Sequence, residues 1–436
     1  MLDIRFIREH ADEVQEKSTQ KGYAVDVPDL LRLDDERREL LKEIEELRTK
    51  RNQYVVKLRF GEDKHVLISE EHKHEARELK HKIRDEEGKL KGIEEKYLNE
   101  LKQVPNMPLA DVPVGVSEEE NVVAKEWGEK LRFDFEPRNH WQIGEMRGWI
   151  DKERAAKVAG SRFAYLKGEL VRLQWALMQF ALDQLMDEAF IAGVVQENSL
   201  QVVTKPFTPV LPPLMIRTDV YDAMDRLEPR DDRYKIEGED LWLQGSAEHV
   251  LGSMHANEIF NEADLPVRYV GYATSFRREA GTYGKDMEGI VRMHQFDKLE
   301  MESLATAESA YDEHLLMIAI QEKLMQALEL PYRLINKCTA DIGKPNARGW
   351  DVDAWMPGQG KYRETHTADY MTDYQARRLQ TRVRRANGDV ELVHTNDATA
   401  FSQRPLIAII ENYQQADGTV TVPDVLRPYL GGRETI

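Results

Sequence analysis

Residues 275–300 read SFRREAGTYGKDMEGIVRMHQFDKLE. Two arginines follow a phenylalanine, three glycines (281, 284 and 289) interrupt the middle, and Arg292, Phe296 and Glu300 lie at the far end. Alternation from Val267 to Glu279 puts Ala273, Ser275, Arg277 and Glu279 on one strand face, with Val270, Tyr272, Thr274 and Phe276 on the other. Arg292, His294, Phe296, Lys298 and Glu300 then share a face of the next strand. Paired as a hairpin, the two strands gather arginines, glutamates and an aromatic ring on one surface. Arginine takes phosphate oxygens bidentately. A glutamate accepts from an exocyclic amine, and a ring stacks a base. For a hairpin taken alone, a solvated face laced with salt bridges is the commoner explanation. Phe296 among the charges argues against it.

Outward from this hairpin, helical periodicity covers 165–190 and 305–330, and strand-like stretches fill 200–215, 266–300, 332–355 and 380–412. Their order gives no βαβ repeat, so the expected fold class is α+β, on a mostly antiparallel sheet with flanking helices over 121–436. Residues 104–120 hold three prolines and read as a linker. Before them, 1–103 form an arm. Leu33, Leu40, Ile44, Leu47, Tyr54 and Leu58, then Ala76, Leu79, Ile83, Leu90, Ile93 and Tyr97, recur at coiled-coil spacing. They predict an antiparallel helical hairpin over about 29–102, with Asp29 capping the first helix and Ser69 starting the second. Between Arg48 and Arg84 eleven Lys/Arg face six Asp/Glu, with four histidines. A phosphate backbone near the tip is therefore as good an explanation of the outer arm as a solvated face.

The whole chain of 436 residues carries a formal charge of −18, which excludes indiscriminate binding to nucleic acid or anionic membrane. One cysteine, Cys338, excludes an intrachain disulfide framework and a cysteine-rich zinc site. The charged start MLDIRFIREHADEVQ has no apolar signal core, and no run is apolar enough to span a membrane. A soluble cytoplasmic protein is expected.

The segment TSFRREAG…GIVRMHQFDKLE resembles motif 2 of class II aminoacyl-tRNA synthetases in the form used by seryl-tRNA synthetases. The MLDIRFIREHADEV start, the helical hairpin, GSRFAYLKGELVRLQWAL, VLPPLM, ARRLQTRVRR and IIENYQQADGTVTVPDVLRPYLGG resemble the same family in the same order. The resemblance implies activation of L-serine by ATP with Mg2+, then transfer to the 3′ end of tRNA(Ser), with the charging of tRNA(Sec) left open. It implies that Arg277 holds the α-phosphate and carboxylate, Glu279 the adenine amine, Phe296 the ring and Arg292 the outer phosphates. Met293 and Arg278 stand beside the nucleotide, Arg278 where the family often has a small polar residue. Ser246-Ala247-Glu248 matches the family's Thr-x-Glu element for the amino acid, and Glu300 would meet the serine hydroxyl. Glu364, Thr365, His366 and Thr367 correspond to the family's metal-binding segment, with Glu364 and Thr367 as magnesium ligands. Arg404 corresponds to the motif 3 arginine over adenine. Between Thr395 and Arg404 the chain is one residue short of the family pattern and lacks its glycines. Thr399 is taken as the hydroxyl that reads serine, whereas shifting the gap puts Ala398 there. Pro212 matches the proline closing motif 1, which implies a homodimer. A non-catalytic paralogue binding RNA, and a ligase loading a small amino acid onto a carrier protein, are the alternatives.

Overall fold

The computed structural model describes residues 1–60, 70–280 and 288–436, side chains 55–60 and 70–73 excepted. The arm tip at 61–69, the side chains of Leu58 and Arg59, and Gly281 and Gly284 lie outside the described residues. The chain divides into two compact units, Met1–Met107 and Pro108–Ile436.

The first unit opens with two short helices, α1 (Ile4–Glu9) and α2 (Ala11–Gln20), followed by α3 (Val27–Phe60) and α4 (Glu70–Gln103). The cap of α3 lies one turn before the expected one. Asp26 Oδ1 accepts from Asp29 N at 2.9 Å, and Pro28 takes a first-turn position where its missing N–H costs nothing. Leu33, Ile44, Leu47 and Ile83 form the buried part of the seam. Arg37, which interrupts the heptad, pairs with Asp34 at 2.9 Å and lies over the Tyr97 ring, 4.7 Å from its centroid. The cross-hairpin pairs Arg48–Glu87 (2.6 Å) and Lys82–Glu43 (3.2 Å) are exposed and contribute at most about 1 kcal/mol each. The apolar seam holds the pair together.

The second unit is built on eight strands: β1 (Val122–Trp127), β2 (Thr208–Val210), β3 (Val267–Phe276), β4 (Gln295–Ala305), β5 (Tyr332–Asn336), β6 (Arg348–Met356), β7 (Lys361–Thr372) and β8 (His394–Ser402). Their order is β1-β5-β6-β7-β8-β4-β3-β2, antiparallel throughout except for the β2–β3 pair. Helices α5 (His140–Met146), α6 (Glu169–Met186), α7 (Ala310–Ala327) and α8 (Gln403–Asn412) join it. Leu299 and Met301 of β4 enter the core shared with α6, α7 and α8, while Lys298, Glu300 and Glu302 take the opposite face. A fully buried ion pair, Arg268–Glu313, ties β3 to α7, and Arg268 also donates to the Val203 carbonyl at 2.9 Å. Breaking such a pair costs about 3–5 kcal/mol because one charge is left stranded.

The architecture is the expected α+β one, with three local differences. Residues 361–372, not predicted as a strand, form the longest one. Glu364, Thr365 and Thr367 face the cleft described below, which breaks the apolar alternation. Residues 403–412 are helical rather than extended, and Ser402 accepts from Arg404 N at 3.2 Å at the helix start. The proline-bearing stretch 104–120 is packed rather than free. Val104 and Asn106 are buried within the first unit. Leu109 N donates to the Ala347 carbonyl (2.8 Å) and Gly115 N to Thr339 Oγ1 (3.2 Å) within the second. Among the described residues, no helix is long and apolar enough to cross a membrane.

Candidate active site

Strand β3 ends at Phe276 and β4 begins at Gln295, so Arg277, Glu279, Arg292 and Met293 leave the ladder and curl over its end. Within the ladder, Ser275 faces Phe296, Ala273 faces Lys298 and Gly271 faces Glu300. Small residues on β3 thus lie opposite larger ones on β4. A cleft opens there, and its other wall is Glu364, Thr365, Thr367, Thr399 and Arg404.

Two β-bulges build that second wall. Val352 pairs with His366 and Asp353 with Glu364, leaving Thr365 as the extra residue. Glu364 and Thr367, three apart, therefore share the cleft face. Thr399 pairs with Glu300 and Phe401 with Leu299, leaving Ala400 as the extra residue of β8. Thr399 and Ser402 share the cleft face in the same way. Ala398 is buried in the hydrophobic core.

The charged groups are mutually paired. Arg292 forms an ion pair with Glu279. Arg404 Nη1 lies 2.8 Å from Glu364 Oε1 and donates to the Glu364 carbonyl at 3.0 Å. Arg404 and then Lys337 hold the half-exposed Glu364 carboxyl down at about 2. Arg277 Nε donates to the Gly245 carbonyl at 3.0 Å, and its guanidinium lies 5.3 Å from the Phe296 ring centroid. Arg162 spans the root of the connection: Nη1 donates to the Glu279 carbonyl (3.0 Å) and its own carbonyl accepts from His294 N (3.0 Å). On the far side, Ile290 N donates to His140 Nε2 (3.2 Å), which leaves Nδ1 as the protonated nitrogen, 2.9 Å from Glu411 Oε1 of α8.

Deeper in, a second network runs through the floor. Lys298 Nζ donates to Ser246 Oγ (3.2 Å), Ser246 Oγ donates to Glu248 Oε2 (3.2 Å), and Lys298 pairs with Glu300 at 2.5 Å. Burial, with Glu248 adding repulsion against the attraction of Lys298, pushes Glu300 up to about 7. A carboxyl raised in the folded state stabilises it fully below its ordinary range, near pH 4.5, and loses that contribution as pH rises to about 7. Glu300→Gln should therefore gain stability relative to the parent at pH 8 compared with pH 5. Urea midpoints at the two pH values read this, and an unchanged difference would refute it.

Three predicted site residues stand elsewhere. His366 is turned into the core by the Thr365 bulge, with its ring 5.6 Å from Phe401 and Nδ1 2.8 Å from Thr365 Oγ1, and burial pushes it down to about 3. Arg278 is exposed, and its backbone N–H donates to the Asp232 carbonyl. Ala247 packs in a small apolar cluster with Leu251 and Ala273. Conversely, Lys298 lines the cleft without having been assigned a role, although alternation with Phe296 and Glu300 already marked its face. Asp397, two residues before Thr399, and Arg226, from a distant turn, join the floor as well.

Residues 1–108 match the family model of the seryl-tRNA synthetase N-terminal domain, and residues 233–413 match that of the class II tRNA synthetase core domain (G, H, P, S and T). The chain is 40% identical over 441 residues to a serine–tRNA ligase of Thermodesulfovibrio yellowstonii, covering 99% of each. Among solved structures, it resembles seryl-tRNA synthetase from Pyrococcus horikoshii complexed with ATP, with a TM-score of 0.88, 39% identity, and 100% and 99% of the two chains covered. It also resembles the cytoplasmic serine–tRNA ligase of Naegleria fowleri in complex with AMP, with a TM-score of 0.83, 27% identity, and 100% and 98% covered.

Proposed function

From the premise that this chain belongs to the seryl-tRNA synthetase family, we infer that it is an ATP-dependent serine–tRNA ligase and assign its cleft residues accordingly. The observation that carries the assignment is the single cleft in which Arg277, Glu279, Arg292, Phe296, Glu364 and Arg404 converge. Adenine lies between Phe296 and Arg404, with Glu279 accepting from its amine. Arg277 takes the α-phosphate and the serine carboxylate, and Arg292 the outer phosphates. Glu248 offers a negative partner to the ammonium, while Glu300 and Thr399 meet the hydroxyl.

A serine carboxylate oxygen attacks the α-phosphorus and pyrophosphate leaves. The terminal ribose hydroxyl of tRNA(Ser) then attacks the carbonyl of the mixed anhydride and AMP leaves. No protein nucleophile is needed, so the site acts by positioning and by offsetting charge at the α-phosphate. Glu364 and Thr367 fit magnesium, because both bring hard oxygens to the cleft. Bound there, magnesium would supply charge neutralisation on the phosphates.

The arm is assigned to tRNA and the body to a cytoplasmic homodimer. Near Pro212, Leu211 is 84% exposed, with Leu214 and Met215 exposed nearby, an apolar edge suited to a second copy. Light scattering at the mass of a single 50.5 kDa chain would refute the dimer.

Purified protein with serine, ATP and tRNA(Ser) should form seryl-tRNA, and folded protein without exchange or charging activity would instead fit a non-catalytic paralogue. Arg77→Glu with Lys80→Glu, two exposed bases on α4, should weaken tRNA affinity about tenfold at low salt and flatten its salt dependence. Serine-dependent pyrophosphate exchange should be unchanged. Unaltered tRNA binding would remove the arm from the interface.

A further inference from the structure

The floor beneath the amino-acid end of the cleft contains a cation with no part in the roles assigned above. Asp225 holds a left-handed backbone (φ 56°), which a residue with a side chain keeps only where its surroundings enforce it. Here they do. Its carboxylate receives Lys344 Nζ (3.2 Å), the Tyr374 hydroxyl (3.1 Å) and Arg378 Nη1 (3.4 Å). The turn so fixed delivers the next residue, Arg226, into a group of acids. Arg226 Nε lies 3.2 Å from Glu248 Oε1, and Nη2 lies 3.4 Å from Asp397 Oδ2 and 3.9 Å from Asp369 Oδ2.

The charges there do not balance. Glu248 is surrounded by Arg226, Lys298, Glu300, Glu302, Asp369 and Asp397, with His249 Nε2 3.4 Å from its Oε1. Carboxylate oxygens of Glu248, Glu300 and Asp397 all lie within 4.8 Å of one another. Burial pushes His249 down to about 4, so it brings no charge at neutral pH. Five acids therefore face Arg226 and Lys298, with Lys337 acting on Asp369 and Arg277 on Glu300 from the edges. Both carboxylate oxygens of Glu302, and Oδ1 of Asp397, are buried without a hydrogen-bond partner. Buried like charges this close cannot all ionise. Burial and mutual repulsion raise Glu302 and Asp397 well above the carboxylate range, yet Glu248, equally buried, is held well below it by Arg226.

We propose that Arg226 is a positioning residue of the amino-acid subsite, which holds Glu248 by an ion pair so that its carboxylate is turned toward the substrate ammonium, with Asp397 on the cation's other side. The inference rests on the assignment of Glu248 to the serine ammonium. Without Arg226 the acids compete for protons, and Glu248 loses the charge that attracts the substrate. Asp397 is then the acid whose neutralisation should relieve the loss.

Pyrophosphate exchange by the full chain, with serine and ATP varied separately, tests this. Arg226→Gln should raise the serine KM about 10- to 100-fold, with the ATP KM and the kcat at saturating serine little changed. The excess should shrink as pH rises, because Glu248 regains its charge. Arg226→Gln with Asp397→Asn, which removes the cation together with one acid that competes with Glu248 for ionisation, should recover part of the loss, and Arg226→Lys should stay near the parent. If the single variant folds poorly, those two carry the test. An unchanged serine KM, a parallel rise in both KM values, or a double variant no better than the single one would each overturn the proposal. Glu248→Gln separates the two levels. If it leaves the serine KM unaltered, the subsite assignment fails and the inference with it. If it raises the serine KM while Arg226→Gln does not, only the inference fails.

Discussion

Arg277→Ala should lower serine-dependent pyrophosphate exchange by about 1000-fold or more while leaving tRNA affinity unchanged. Arg277 is the cation best placed to meet both reacting groups. Its Nε bonds the Gly245 carbonyl in the segment leading to Ser246 and Glu248, while its guanidinium lies over the Phe296 ring. In the proposed assignment it therefore stands where the amino-acid and nucleotide ends of the cleft meet. Attack on the α-phosphate concentrates negative charge there, and a preorganised guanidinium in a partly closed cleft offsets it without reorganisation. The loss should fall on kcat more than on either KM, because the interaction strengthens as charge develops. Arg277→Lys keeps the charge but not the planar fork, so it should recover only part of the rate. Equal losses of exchange and tRNA binding would contradict the assignment.

Gly289→Ala should cost about 3–5 kcal/mol of stability, combining backbone strain, overpacking and a broken buried hydrogen bond. Gly289 has φ +65°, and a Cβ there would sit 1.9 Å from His140 Nε2. That nitrogen accepts from Ile290 N, and the opposite one donates to Glu411, so His140 cannot retreat without breaking both bonds. Glu411 also accepts from Gly358 N (3.1 Å) and Gln359 Nε2 (2.8 Å), so the damage would spread to the turn between β6 and β7. Gly148 has nearly the same φ, +64°, but faces open space. Gly148→Ala should therefore show the strain alone, about 1 kcal/mol. Chemical denaturation of both variants separates the two contributions, and equal costs would mean that the His140 contact does not matter.

Legibility in the sequence followed the range of the interactions. The coiled-coil seam and the β3–β4 hairpin depend on residue spacing, and their faces could be read directly. Phe296, Lys298 and Glu300 lie on one face as alternation requires. The second wall of the cleft was hidden because alternation fails there. Strict alternation would set His366 beside Glu364, whereas the bulge replaces it with Thr367. The same device on β8 places Thr399 opposite Glu300 and Ala398 in the core, an ordering that spacing along the chain left open. Arg226 had no local signal at all. It reaches the floor through a turn whose backbone is fixed by Lys344, Tyr374 and Arg378, partners more than a hundred residues away.

The paired bulges also make the chemistry of this sheet a matter of phase. Thr365 and Ala400 act as half-period offsets, one on each of two neighbouring strands. Deleting Thr365 would remove no proposed magnesium ligand and no arginine. It would bring β7 back into simple alternation with Val352 still opposite His366 and Asp353 opposite Glu364, so Glu364 and Thr367 would keep the cleft face. Substitutions that preserve strand length test individual side chains. A one-residue deletion elsewhere in β7 or β8 would test the frame in which they are presented, because it turns one flank of the strand to the opposite face.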